Sequence, residues 1–541
     1  MATEETYPNS PAANSDRAAE LREQEFVADP TSPPLILSEP EQGSATAKVA
    51  SAGIVQSIGK LVGYASGILT LALTARLLTA SDFGAYTTIA VVYLLFVSVI
   101  ADIGIFTIAV REGSREPERL RDVYHTAFTL KAIAAILVYA ASFVVIFFLP
   151  YTPEAKLGTI ILGVTTMLAS IAAGFEIVFQ VNLRMAVPTY ADIMSKLFVL
   201  GGTAALYVAN TKYRFDSLTL FYAVIGVVSL SNLIGIAGRW WGANRIMPVR
   251  LRLVPGLTRT LLRMAIPMFV VAILSQIHYK ADAFILSLIR PPQYSPDVAI
   301  YGVAYRMVDF MLLFFIVFIV SVFPVLSAYS QADGEKYRQA ARRVLDATLA
   351  LSVPATVGLM LLAPEIVAIV GGDRYPQAAL PMQILALAVI LTGISQAYNY
   401  MIIVQNGQRN LVWITIILVI ANIGLNLYFV PIYSYIASAV ITVVTTGLGM
   451  LLAILVASRR QHVGPSWVNL LKILGAAAAM AIVIEALRFF LFPSITLVGT
   501  LVMVAAGAAV YGVILLAIGG VDDGVMLLLR RRLGRLTGRV A

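Results

Sequence analysis

Fourteen apolar stretches, each roughly twenty to thirty residues long, fill the chain between Ala52 and Gly519, and several hold charges in their interiors. The hydrocarbon core of a bilayer is about 30 Å thick, and a helix needs about 20 apolar residues to cross it. Over so short a run in lipid, only a helix satisfies its own backbone groups. The stretches therefore read as transmembrane helices at about 52–78, 84–109, 124–149, 157–181, 187–208, 217–239, 264–289, 299–327, 345–370, 379–404, 411–430, 433–457, 469–492 and 495–518. The fifth is interrupted by Asp192 and Lys196, and its loss would invert every later crossing.

Hydrophobic residues make up 59% of the 541-residue chain and charged residues 13%, which excludes an ordinary soluble domain. There is no cysteine, so disulfides, thiolate metal sites and cysteine nucleophiles are excluded. The histidines His125, His278 and His462 are too scattered for a metal cluster. No phosphate-binding loop, HExxH pair or Ser/His/Asp set is present, so the chain reads as neither an enzyme nor an ATP-driven pump. It needs no cofactor, and an ion gradient is the default driving force. Gly371-Gly372-Asp373 reads as punctuation at a helix end.

Orientation follows from Lys and Arg. About 26 fall in connections on the side of the N-terminus and about 7 on the other. Both termini are thus expected in the cytoplasm, with Arg111, Arg115, Arg119, Arg121 and the run Arg239 to Arg263 on the same side. The net charge of +9 is an orientation signal and needs no nucleic acid. Residues 1–47, rich in Pro, Ser, Glu and Ala, read as a disordered cytoplasmic tail without a signal peptide. Residues 520–541, with Arg530, Arg531 and Arg532, read as a basic anchor on the membrane surface.

An internal repeat sets the organisation. Arg76, Asp82 and Tyr86 recur in order and near-equal spacing as Arg290, Asp297 and Tyr301. The offset of about 215 residues fits two parallel six-helix halves related by an axis along the membrane normal. The expected division is residues 48–239 and 264–458 as halves, 240–263 as a basic linker, and 459–519 as an appended helix pair. The fold class is all-α and polytopic: about fourteen transmembrane helices, two pseudo-symmetric six-helix halves and two C-terminal helices.

The segment Arg76-Leu-Leu-Thr-Ala-Ser-Asp-Phe-Gly-Ala-Tyr86, with Ala101-Asp102-Ile-Gly104-Ile and Arg111-Glu112, resembles the opening of the Wzx-type polysaccharide flippases. These belong to the multidrug/oligosaccharidyl-lipid/polysaccharide exporter superfamily. Gln405-Asn-Gly-Gln-Arg409, Ala421-Asn422-Ile-Gly-Leu-Asn426 and Pro431-Ile-Tyr433 resemble that family's second half, and the likeness covers roughly Ala50 to Ser458. The chain departs from the pattern at Ser434 and Ser438, where the family leads one to expect glycines. The resemblance implies translocation of a lipid-linked glycan across a bacterial inner membrane by alternating access.

Charges within the apolar stretches are the candidate site, because such groups persist in lipid only with a partner or a polar cavity. Lys60, Arg76, Lys280 and Arg306 are the candidate cations for an anionic pyrophosphate-linked substrate. Asp102, His278, Asp282 and Asp309 are candidates for gating or ion coupling. Matched depth suggests that Lys60 pairs with Asp102, and that Lys280 or Arg306 pairs with Asp282 or Asp309. Asp192 and Lys196 share a helix face and read with Lys131 and Glu176 as structural ion pairs.

The combined expectation is a flippase for an undecaprenyl-type lipid-linked oligosaccharide, serving exopolysaccharide or O-antigen assembly. Its partners would be the glycolipid, membrane lipids, a coupling ion (H+ or Na+) and a polysaccharide polymerase complex. Alternatives are a cation-coupled multidrug antiporter, a lipid II flippase, and a membrane scaffold of a glycan-assembly complex.

Overall fold

Helices begin where the sequence supplies a cap. Thr79 accepts from the Asp82 N–H, Thr152 from Ala155, Asp216 from Thr219, Ser466 from Asn469 and Thr496 from Gly499, each satisfying a donor left free at a helix start. Proline opens the helices that start at Pro153 and Pro255, where its missing N–H costs nothing. The computed structural model describes residues 39–328, 334–405, 407–459 and 463–520, and among them there is no strand. The expected tail falls mostly, and the basic C-terminal anchor almost wholly, outside the described residues.

The first half comprises α1 (Glu39–Leu77), α2 (Ala80–Tyr86), α3 (Leu94–Asp102), α4 (Ile105–Arg115), α5 (Leu120–Phe148), α6 (Pro153–Ala172), α7 (Glu176–Val181), α8 (Ala186–Tyr213) and α9 (Ser217–Ile246). The second comprises α10 (Pro255–Ile289), α11 (Asp297–Ala328), α12 (Gly334–Leu361), α13 (Ala363–Gly371), α14 (Ala379–Val404) and α15 (Gln408–Ser458). The pair α16 (Trp467–Phe490) and α17 (Leu497–Ala517) follows. Among the described residues, eleven helical stretches are long and apolar enough to cross a membrane. One of them, α15, is two crossings folded at Ser434, as the hydrogen bonds from Asn422 to Thr445 and from Ser438 to Asn426 between its arms show. With α1 and α11 these give the fourteen expected crossings. The doubtful fifth is a continuous helix, α8.

The repeat motif does the same work twice. Asp82 accepts from Ser217, tying the start of the second crossing to the start of the sixth. Asp297 accepts from Ser434, tying the eighth to the twelfth. The two motifs also meet. Gly84 packs against Pro292 and the Ala299 backbone, and Gly302 against Thr87, so neither position has room for a Cβ without a shift. The linker is shorter than expected: α9 runs to Ile246 and α10 starts at Pro255, leaving 247–254 between them. Trp240 and Trp241 stay helical and exposed, with the Arg245 guanidinium 3.7 Å from the Trp241 ring. The pair α16–α17 packs on α12 and is clamped by Arg488, whose Nε donates to the buried Glu365 at 2.7 Å.

Candidate functional site

Lys60 of α1 lies beside Gly59, which packs directly on Thr189 of α8. Two turns along α1, Gly67 touches Phe310 of α11, and the Tyr64 and Phe310 rings stand 6.4 Å apart. α1 is thus held between α8 of the first half and α11 of the second. Lys196 follows Thr189 by seven residues, about 10 Å further along the helix, and Arg306 precedes Phe310 by one turn. The Arg306 guanidinium lies within electrostatic reach of both Lys196 and Tyr86, and the Asp192 carboxylate within reach of Lys196 without pairing with it. Lys60, Lys196 and Arg306 make no ion pair or hydrogen bond among the described residues. Lys60 and Lys196 are exposed and Arg306 is half-buried.

The neighbouring charges are neutralised. Asp102 pairs with the buried Lys131 rather than with Lys60, which corrects the expected Lys60–Asp102 pair. Asp192 pairs with Arg239 rather than with Lys196, and Arg239 also reaches Glu176 at 3.2 Å. Arg239 reads in the sequence as the edge of the basic linker, whereas α9 continues for two further turns and brings it inside the bundle. Arg76 is likewise engaged elsewhere. It donates to the carbonyls of Ala368 (3.3 Å) and Ile369, while Arg374 donates to the Leu78 carbonyl at 2.6 Å. Together with Gln293 to Pro150 (2.7 Å) and Tyr151 to Ser287 (2.8 Å), these contacts join the halves at one end of the bundle, the Pro150 end. Arg76 therefore belongs to this junction and not to the Lys60 and Arg306 group.

The second half buries a different constellation. Asp282 is 1% exposed and accepts from the Ala283 N–H (2.7 Å), the Thr442 hydroxyl (2.8 Å) and the Tyr301 hydroxyl. No cation pairs with it among the described residues. Lys280 instead bridges to Asp309 at 2.9 Å and lies 4.4 Å from the Tyr305 ring. From Thr442 a polar chain continues through both arms of α15: Thr442 donates to the Ser438 carbonyl, the buried Ser438 hydroxyl to Asn426, and the buried Asn426 to Asn422. His278 lines a narrow cavity with Asp309, Asn422 and Thr442, and its Nδ1 has no hydrogen-bond partner. A buried carboxylate held by two hydroxyls and a backbone N–H, with no cation beside it, is a group that can take up a proton or a small monovalent cation. Among the described residues no group of three or more Asp, Glu or His could hold a metal ion. The Asn422/Asn426 and Ser438/Thr442 spacings of four, in otherwise apolar runs, were the available signal for this cluster.

The chain has relatives in both sequence and fold. In solved structures it is similar to the lipid II flippase MurJ in an inward closed conformation, with 18% identity and a TM-score of 0.66, covering 85% of this chain and 98% of that one. An inward-facing multidrug resistance MATE transporter of the MOP superfamily matches at 14% identity and a TM-score of 0.58, over 75% of this chain and 97% of that one. A MOP superfamily transporter from Pyrococcus furiosus matches at 14% and 0.54, over 76% and 95%. At these identities the likeness establishes a shared fold. The curated relative "Probable flippase AglR" of Haloferax volcanii is 26% identical over 228 residues, 41% of this chain, and the chain spans 47% of that relative's length. The profile of the family described as "Polysaccharide biosynthesis protein" matches residues 73–380, more than half of the sequence. The multi-pass bundle built on the MOP transporter fold therefore belongs to the polysaccharide biosynthesis protein family.

Proposed function

We propose that the protein is a flippase moving an undecaprenyl-type lipid-linked oligosaccharide across a bacterial inner membrane by alternating access, for exopolysaccharide or O-antigen assembly. The observation that carries this reading is the set of unpaired cations Lys60, Lys196 and Arg306 along α1, α8 and α11. Unneutralised cations within apolar helices are costly unless an anion visits them, and a diphosphate is such an anion. The Lys/Arg asymmetry puts both termini in the cytoplasm and the Pro150 end outside. The diphosphate would step from Lys60 to Lys196 and Arg306 while the isoprenoid stays in lipid. Asp282, held by the Tyr301 and Thr442 hydroxyls, would bind the coupling ion, H+ or Na+, with Asp309 and His278 beside the route to it. Residues 48–239 and 264–458 act as the two moving units, and a polymerase complex would receive the product.

The test is translocation of a fluorescent polyprenyl-diphosphate saccharide by the purified protein in vesicles. Lys60→Ala, Lys196→Ala and Arg306→Ala should each lower the rate at least tenfold at equal protein level. Lys156→Ala should not, because Lys156 is half-buried near the Pro150 end and donates only to the Phe147 carbonyl. Equal rates in all four variants would remove the cation track from the mechanism, and uptake of cationic dyes in place of the glycolipid would favour the antiporter.

A further inference from the structure

At the Pro150 end, a cavity of about 320 Å³ opens between the first half and the loop that follows α10. Its chemistry is opposite to that of the cation track. No Lys, Arg or His lines it, while the carboxylates of Asp82 and Glu154 do. The Glu154 carboxylate makes no hydrogen bond among the described residues. Asp82 uses one oxygen for Ser217 and Thr79, which leaves the other free. Gln293 spends one amide N–H on the Pro150 carbonyl, which leaves the other N–H and its own oxygen available. Thr88, 1% exposed, lines the same cavity with a buried hydroxyl that has no partner.

A buried hydroxyl without a partner is costly, and its presence in a cavity wall points to something that completes it. The spare capacity combines carboxylate and amide oxygens that accept with hydroxyls and an amide N–H that can also donate, so the occupant must offer donors as well as acceptors and carry no negative charge. A diphosphate is repelled by two carboxylates. A metal ion fails for want of ligands, since no group of three acidic or histidine side chains converges among the described residues. A neutral sugar ring fits: its hydroxyls donate to carboxylates and amide oxygen, and the Phe221 ring in the wall can cover its C–H face.

We propose that this cavity is a saccharide-binding subsite, which holds a neutral sugar unit of the glycan at the outer face. The assignment rests on the transport reading for its place in the cycle, but not for its chemistry. Separating a cation-lined path for the diphosphate from a cation-free pocket for sugar gives the headgroup a direction to leave in. Gln293, supplied by the second half, covers the pocket while the Pro150 end is joined.

The experiment is saturation-transfer NMR on the full-length protein in nanodiscs with lactose, cellobiose and chitobiose as probes. At least one should bind saturably in the millimolar range, and Thr88→Val or Glu154→Gln should weaken it about fivefold or more. Thr88→Val keeps the side-chain shape and removes a hydroxyl that binds no protein group, so its thermal unfolding should match or exceed wild type. Lys60→Ala should leave the signal unchanged. Absence of saturable binding by all three sugars overturns the subsite, as does binding that survives both pocket variants. Saturable binding of calcium chloride at the same residues, without sugar binding, also overturns it. Sugar binding in a protein that translocates no lipid-linked glycan would sink the transport reading and leave the pocket standing.

Discussion

Ser434 shows how much one residue carries. It sits at φ 53, ψ −135 inside α15, a backbone region that only glycine adopts without strain. The resemblance had marked this position as one where a glycine was expected. The serine hydroxyl donates to Asp297, which ties the fold of α15 to the start of α11. Ser434→Ala loses that bond and keeps the strain, whereas Ser434→Gly loses the bond and relieves it. The glycine variant should therefore be more stable than the alanine variant by about 1 kcal/mol, read as the higher melting temperature in detergent. An alanine variant equal to or above the glycine one would show that the strain is not felt. Other charges were legible as functional candidates and only in part as pairs: Lys280 found Asp309 as matched depth suggested, but Asp102 did not find Lys60. Depth along a helix follows from the sequence, while the direction a side chain faces depends on neighbours distant in the chain. Asp102 thus found Lys131, 29 residues away, and Lys60 remained unpaired.

At the scale of elements, crossings were readable because lipid demands long apolar helices, whereas their interruptions were not. The second crossing includes a π-helical stretch, Thr87–Tyr93, and then breaks at Ile103 and Gly104, both left-handed, before resuming as α4. An apolar run with one glycine carries no visible sign of such a break. Here Gly104 is required twice over, by its φ of 68 and by its approach to the α10 backbone. A Cβ at Gly104 would lie 3.1 Å from both the Ala265 carbonyl oxygen and the Phe269 nitrogen. Gly104→Ala should cost at least about 1–2 kcal/mol from the backbone alone. A lower melting temperature and slower glycolipid translocation are the expected outcome. A variant unchanged in both would mean that α3, α4 and α10 do not need this approach. The appended pair α16–α17 belongs by the same reasoning with α12 and α13. Arg488→Ala strips the charge partner from the buried Glu365 and should destabilise the protein by about 3 kcal/mol, measured by thermal unfolding.

For the whole molecule, the Pro150 end is joined by Arg76, Arg374, Gln293 and Tyr151, and the alternating access proposed above requires those contacts to part. With no native cysteine, spin labels on Tyr213→Cys and Tyr294→Cys report this end alone. These two tyrosines are 64% and 84% exposed, on the first half and on the loop after α10. The label distance should be unimodal at rest and gain a longer population in Arg76→Ala/Arg374→Ala. An unchanged distribution would mean that these arginines do not hold the end together.

One helix belongs to both halves. The start of α10, with Leu261 and Ala265, is buried against Ile105, Val123 and Tyr124, while its end carries Asp282 into the ring formed with Tyr301 and Thr442. Between them Pro267 removes a helix hydrogen bond, and Ile266, Met268, Val270 and Val271 stand exposed. From Ala265 to Asp282 is about 25 Å along the axis. If the halves rotate as proposed, this segment, fixed at both ends and weakened at Pro267, is placed to bend. On the proposed reading, an ion that favours one curvature at Asp282 would change affinity for the headgroup, and thermodynamic reciprocity would require the headgroup to change ion affinity by the same factor. Sodium or proton binding measured with and without the glycolipid would thus give the coupling energy without any transport being observed.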